Sequence, residues 1–504
     1  MVDAEWERKL LALLTKDNSR ESIKAKIQSI KTDKALLLLL HSAFLLIKMD
    51  AAGEQAGFFI ELYSLTGDLM PSPAIDSYVQ DLEDPILSNN PHIRTIAARA
   101  FGLLASQGIC SRSGVPEITA QLSRMQRAMD GWQGAVGAQI NKASGALLAL
   151  AYFHSRLARR KFVDQSSLDS PAELLVPTLD MLKNADKTLK EATYQALSQL
   201  SMSFVLQPMM VEKHMPYIDA ANLIYDGAKA GNEKAITALG RFSMIADEGS
   251  DNLKHIVDRI HALHEVKQME AQFAVGEAFT YAACGWESKA LASELDIDAP
   301  LPTGPQREST LTQIMDKIVE DSKASKPSLR KASVIWLLCV LEYCGHLSAV
   351  QERLPQCQQA FKRCLADKDN LVQEAAAKGL GLVYQNGDRE LKDALVRDLV
   401  GSFSEGKAQL GGGNVTADTE LFEAGALPTG EGSSVTTYRD ILNLASEVGD
   451  SSLVYRFMNM ASNNAIWSSR AAFGRFGLSN VLADANVDPK LVPKLFRFKY
   501  DPNT

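Results

Sequence analysis

The stretch Leu354–Gly387, LPQCQQAFKRCLADKDNLVQEAAAKGLGLVYQNG, decides the fold. Apolar residues at Leu354, Cys357, Phe361, Cys364 and Leu365 recur at helical spacing and form one stripe to be buried. Asp367 and Asp369 break the stripe, and Asn370 is placed to cap a second helix by accepting from its free N–H groups. That helix carries Val372, Ala376, Gly379, Leu380 and Val383, whose small members let two helix backbones come close. Gly387 is the stop signal. Neither helix can bury its apolar face alone, so the pair requires copies of itself on both sides.

The copies are present. Asn90–Ala105 (NPHIRTIAARAFGLLA), Asn141–Phe153 (NKASGALLALAYF) and Gly231–Ile245 (GNEKAITALGRFSMI) repeat the second-helix pattern of paired alanines and an Ala/Gly–Leu segment. Pro171–Met202 reads as a complete unit, and Asn252–Gly285 and Leu311–Gly345 as two more helix pairs. A period of roughly 35–45 residues with this content marks HEAT or armadillo repeats. No run alternates in the manner of a strand. The expectation is an all-α protein, an α-solenoid of HEAT/armadillo-like helical repeats.

Composition narrows the function classes. A net charge of −8 over 504 residues supplies no concentrated basic field, so nucleic acid is not an expected partner. The six cysteines show no CxxC and fall mostly on apolar stripes, as thiols of a reducing compartment do. The N-terminus MVDAEWERKL is too polar for a secretory signal. Ala35–Met49 is the most apolar run, but it is short and holds His41 and Lys48. It reads as a buried core helix, and the chain as no integral membrane protein. A soluble, intracellular protein is expected.

No motif brings catalytic chemistry together. His255, His261 and His264 lack the further ligands a metal requires, so ordinary histidines are expected. Neither Gly379–Gly381 nor Gly411–Gly413 stands in a strand–GxGxxG–helix context, and there is no Walker or GxSxG pattern. No cofactor is expected, and the chain is not read as an enzyme. Arg156, Arg159, Arg160 and Lys161 form the one compact basic cluster, read as a solvated helix end that suits the helix dipole. A docking patch for an acidic partner is the alternative.

The repeats divide into an array over 1–286, a Pro/Asp-rich inter-repeat loop or hinge over 287–308, repeats over 309–406, a long acidic Gly-rich loop over 407–435, and repeats over 436–504. The 407–435 loop is expected to pack back on its own repeats, to contact a partner, or to be simply disordered. Its candidate contact residues are Asp418, Glu420, Leu421, Phe422, Glu423, Leu427 and Pro428, apolar groups among charges that would steer a basic surface. The chain stops where a second helix should begin, so a fragment of a longer protein, or an end that a partner covers, is expected.

From about Ser328 onward the sequence resembles a specific family. The stretches RKASVIWLLCVLEYCG, LVQEAAAKGLGLVYQNGD, ELFEAGALPTGEG and WSSRAAFGRFGLSN look like the proteasome adaptor and scaffold proteins of the extracellular-mutant-29 type. The resemblance implies a giant HEAT-repeat protein with a non-catalytic role. Its implied partners are the proteasome core particle and regulatory particle, tethered to one another, with an inhibitory or quality-control function. Links to vesicles and motor proteins are also implied. The competing reading is a nuclear-transport receptor-like solenoid that binds cargo, or another complex scaffold.

Overall fold

The computed structural model describes residues 32–48, part of 59–70, 72–111, 115–160, 171–203 except 185, 206–297 and 307–391 except 365, 366 and 368. Among these there is no strand. The helices are α1 (Asp33–Lys48), α2 (Ser72–Asp81), α3 (Glu83–Ile86), α4 (Pro91–Cys110), α5 (Val115–Asp130), α6 (Ala138–Arg159), α7 (Pro171–Met181), α8 (Lys187–Ser201), α9 (Pro208–Glu212), α10 (Tyr217–Lys229), α11 (Glu233–Phe242) and α12 (Asp251–Ala262). They continue as α13 (Met269–Cys284), α14 (Glu308–Asp321), α15 (Pro327–Cys344), α16 (Ser348–Gln351), α17 (Leu354–Cys364) and α18 (Asn370–Asn386). The described residues fall into two compact units, one of those up to 266 with 285–297, the other of 267–284 with those from 307 to 391.

The first unit is built on a row of inner helices. α4 packs against α6, α6 against α8, and α8 against α11. Outer helices α5, α7 and α10 return along α6, α8 and α11, the arrangement that short connections between successive helices impose. A helix flanked on three sides has almost no face left for water. α6 is accordingly buried without a break from Ala143 to Leu157. Each fully buried side chain of the size of Leu147 contributes about 1.5–3 kcal/mol of burial free energy.

Caps set where the inner helices start. Asn90 accepts from His92 N at 3.0 Å, Asp186 from Leu189 N at 3.0 Å, and Asn232 from Ala235 N at 3.1 Å. α6 has no side-chain cap. Gly137, at φ 57°, makes the left-handed turn that only a residue without Cβ adopts cheaply. The apolar run expected as a core helix is α1, with Leu36, Leu39, Leu40, Ala43, Phe44 and Ile47 buried, and Phe44 stacked 3.9 Å from the Tyr78 ring. No described helix is long and apolar enough to cross a membrane.

The second unit repeats the scheme. α13, α15 and α18 form its inner row, with α14 and α17 outside. Trp336 on α15 is fully buried, 4.9 Å from the Phe279 ring, and its indole N–H donates to Gln272 Oε1 at 3.1 Å. The turn after α17 is tied back to α15 by Arg330 to Asp367 and by Lys331 Nζ to Asp369 Oδ2 at 2.9 Å. The cap of α18 is Asp369 rather than the expected Asn370. Its Oδ1 accepts from Leu371 N at 2.9 Å while Oδ2 takes Lys331, so one carboxylate closes the helix and pairs with the neighbouring repeat. The small residue Gly379 faces the Phe361 ring, which occupies the space where a Cβ would stand.

Candidate functional site

The site lies in the first unit, along its inner row. Arg99 on α4, Arg156 on α6, Gln199 on α8 and Arg241 on α11 face one short segment, residues 285–297. Arg99 and Arg241 stand the same number of residues after their caps Asn90 and Asn232, so the repeat register itself presents them alike. The segment consists of two 3₁₀ turns, Gly285–Glu287 and Lys289–Glu294. Ser288 caps the second by accepting from Ala290 N, and Leu291 is its fully buried anchor.

Two carboxylates of this segment hold the row together. Asp296 Oδ2 accepts from Arg99 Nε and from Arg156 Nη2, both at 2.8 Å. Glu294 Oε2 accepts from Arg156 Nη2 at 3.1 Å and Gln199 Nε2 at 3.2 Å, and Oε1 lies 3.6 Å from Arg241 Nη1. Gln199 serves both charges, for its Oε1 accepts from Arg156 Nη1 at 2.7 Å. The guanidinium carbon of Arg156 lies 5.0 Å from the centre of the Tyr152 ring, and that of Arg159 lies 5.8 Å from the Trp286 ring. The side chains of Arg156 and Asp296 are each 1% exposed, Arg241 7% and Glu294 14%.

The electrostatics follow from burial and proximity. Burial alone would raise the Glu294 carboxyl, but the guanidiniums of Arg99, Arg241 and Arg156 outweigh it and hold the group well below the carboxylate range. Burial opposes the charge of Arg99, and Asp296 and Glu294 more than restore it. The Tyr152 phenol is pushed up to about 12 by burial and by Glu294. Burial and the nearby Arg156 depress Arg159.

This corrects the reading of Arg156, Arg159 and Arg160 as a solvated helix end; Lys161 lies outside the described residues. Arg156 and Arg159 are interior residues: acidic partners absent from its own helix meet Arg156, and Arg159 lies against the Trp286 ring. Arg160 also turns inward, donating to Ser106 Oγ at 2.9 Å. Both carboxylates come from the stretch read as a Pro/Asp-rich loop or hinge. The candidate contact residues Asp418, Glu420, Leu421, Phe422, Glu423, Leu427 and Pro428 lie outside the described residues. His255 pairs with Asn222 Oδ1 at 3.0 Å, and no three potential metal ligands converge among the described residues.

No family model matches the chain. Individual proteins do. "Proteasome component ECM29" of Saccharomyces cerevisiae is 38% identical over 289 residues, covering 53% of this chain and 15% of that protein. "Proteasome adapter and scaffold protein ECM29" of Homo sapiens is 31% identical over 393 residues, covering 71% of this chain and 21% of that protein. Among solved structures, the karyopherin Kap121p bound to the extreme C-terminus of the phosphatase Cdc14p aligns over 97% of this chain and 52% of its own. Its 14% identity and TM-score of 0.35 are too slight to argue from. The chain is thus a helical-repeat relative of the ECM29-type proteasome proteins, and it spans 15% to 21% of the length of the two named here.

Proposed function

We propose that this chain acts as a non-catalytic adaptor or scaffold at the proteasome, holding core particle and regulatory particle together in the cytoplasm and nucleus. An inhibitory or quality-control role belongs to the same reading. The observation that carries it is the 31–38% identity to proteins named as proteasome component, adapter and scaffold. The repeat architecture supports it physically. A stack in which each repeat touches its neighbours offers long continuous faces, and strain spreads over many interfaces. Two weak contacts far apart on such a stack bridge two bodies, because the second engagement is intramolecular.

The test is capture of purified core particle and, separately, regulatory particle on immobilised 1–504, at moderate and high salt. Capture of either particle, lost when Asp418, Glu420 and Glu423 are replaced by Asn or Gln, supports both the adaptor reading and the 407–435 loop as its contact. Capture that survives those replacements keeps the adaptor reading and removes the loop. Failure of a well-folded chain to capture either particle overturns it.

A further inference from the structure

We infer that the inner-row arginine track of the first unit is a receptor for acidic protein segments, occupied here by the chain's own residues 285–297. A partner segment with carboxylates two residues apart beside apolar side chains would take their place. This goes beyond the adaptor reading and does not depend on which machine the chain serves.

The argument begins with how the segment is held. Glu294 and Asp296 are the groups that the track reads. Their spacing places one carboxylate between Arg99 and Arg156 and the other among Arg156, Gln199 and Arg241. Four helices of four successive repeats therefore recognise two side chains. Recognition of this kind is how a groove binds a peptide ligand, and the segment is docked as one. It follows directly on α13 but contains no α-helix of its own, and its 3₁₀ turns have poorer hydrogen-bond geometry than the helices beneath. Its fully buried apolar anchor is the single side chain Leu291, with Ile297 at its end.

The energetics favour exchange over permanence. A buried ion cluster gains little net stability, because desolvation of each charge offsets most of the attraction. Here the offset is incomplete on the attractive side. Asp296 Oδ1 and Arg156 Nε are buried without a hydrogen-bond partner among the described residues. The same cluster is demanding about what replaces it, since an unpaired buried arginine is costly. The track thus rejects neutral segments and accepts another acidic one at small net cost. The covalent tether gives the resident segment an effective concentration in the millimolar range. An acidic partner held nearby by other contacts competes on equal terms.

The test uses the full chain and a fluorescent peptide of the sequence of residues 287–298, ESKALASELDID. Glu294→Gln with Asp296→Asn in the chain removes the resident ligand's charge while keeping its shape. The double variant should bind the peptide at least tenfold more tightly than the parent chain, read by fluorescence anisotropy. Adding Arg156→Gln should abolish that binding, as should Gln and Asn in place of the peptide's own Glu and Asp at the positions of 294 and 296. A folded double variant, verified by circular dichroism, that ignores the peptide overturns the proposal. Equal binding of acidic and neutral peptides also overturns it. If the double variant does not fold, hydrogen exchange on the parent chain decides. Excess acidic peptide should speed exchange across residues 285–297 and leave α6 unchanged, and no acceleration overturns the proposal.

Discussion

Asp296 Oδ2 lies 2.8 Å from Arg99 Nε although 197 residues separate them, and the same oxygen accepts from Arg156 Nη2 at 2.8 Å. One carboxylate oxygen thereby ties inner helices α4 and α6 to a segment contributed from far along the chain. Removing one partner from a buried cluster leaves the other charges uncompensated. Asp296→Ala should cost about 3–5 kcal/mol in the unfolding of the first unit. Asp316→Ala breaks the Arg353 pair at 3.0 Å, where the carboxylate is 64% exposed, and should cost under about 1 kcal/mol. Urea unfolding of both variants tests the contrast, and equal costs would count against a buried network.

Glu294 makes stability depend on pH with a definite sign. Its carboxyl titrates lower in the folded chain than in the unfolded one, so the folded state binds fewer protons as acid is added. The stabilisation is complete above the unfolded value of about 4.3, and it is lost as pH falls from there toward the depressed folded value. Glu294→Gln should be less stable than the parent at pH 7, and the gap should narrow below pH ~4. Asp369 has the same sign in the second unit. Burial works against its charge, and the Lys331 and Leu371 hydrogen bonds outweigh that burial. Melting curves from neutral pH to pH ~3 read both effects. A gap that stayed constant would remove Glu294 from the acid response.

The approach of α4 to α6 is set by Gly102. A Cβ there would stand 2.7 Å from the backbone carbon and the Cβ of Tyr152, and the helix backbone cannot yield as a flexible side chain does. Gly102→Ala should destabilise by about 1–3 kcal/mol. Gly131→Ala meets only the carbonyl oxygens of Ala128 at 3.6 Å and Arg127 at 4.0 Å, ordinary contact distances, and should stay within about 0.5 kcal/mol of the parent. Thermal unfolding of the two variants separates a packing requirement from mere helix propensity.

The thiols should be slow to react in the folded chain. Burial pushes Cys357 up to about 12 and Cys364 up to about 11, with Asp367 adding to the latter. Burial likewise raises Cys339. Cys284 and Cys344 are buried with their sulfurs 3.2 Å apart, and Cys110 is half-buried. A thiol-specific chromophoric reagent at mild alkaline pH should find at most Cys110 quickly, and all six only after unfolding. Rapid labelling of several thiols in the native chain would contradict this core.

Much of the fold was legible because its determinants are local. The stripe Leu354, Cys357, Phe361 and Cys364 faces inward as its spacing requires, and Val372, Ala376, Leu380 and Val383 answer it from α18. Gly379 was readable as a close-approach residue, and the Phe361 ring proves to fill the space above it. The cap was misplaced by one residue, since Asp369 and Asn370 are both competent cap types standing side by side in the sequence. The site was far less legible. Arg156, Arg159 and Arg160 at the end of α6 look from sequence like cations placed in water to suit the helix dipole. A cation at matched distance from the caps Asn90 and Asn232, on the first and last helices of the inner row, was the one available signal.

The sequence by itself determined that the described residues form stacked helix pairs, and which stripes are small enough for close packing. Those features depend on residues within one or two turns of each other, where periodicity and capping act. Only the tertiary structure decided that α6 ends in buried arginines and that Glu294 and Asp296 reach back across four repeats to meet them. The physical reason is that a charge is stable inside a protein only with its partner present, and here the partners are separated by up to 197 residues of chain. No local pattern records that pairing. The repeat register lines up Arg99 and Arg241, Arg156 reaches the same segment from α6, and the fold then supplies the two carboxylates that pair with all three.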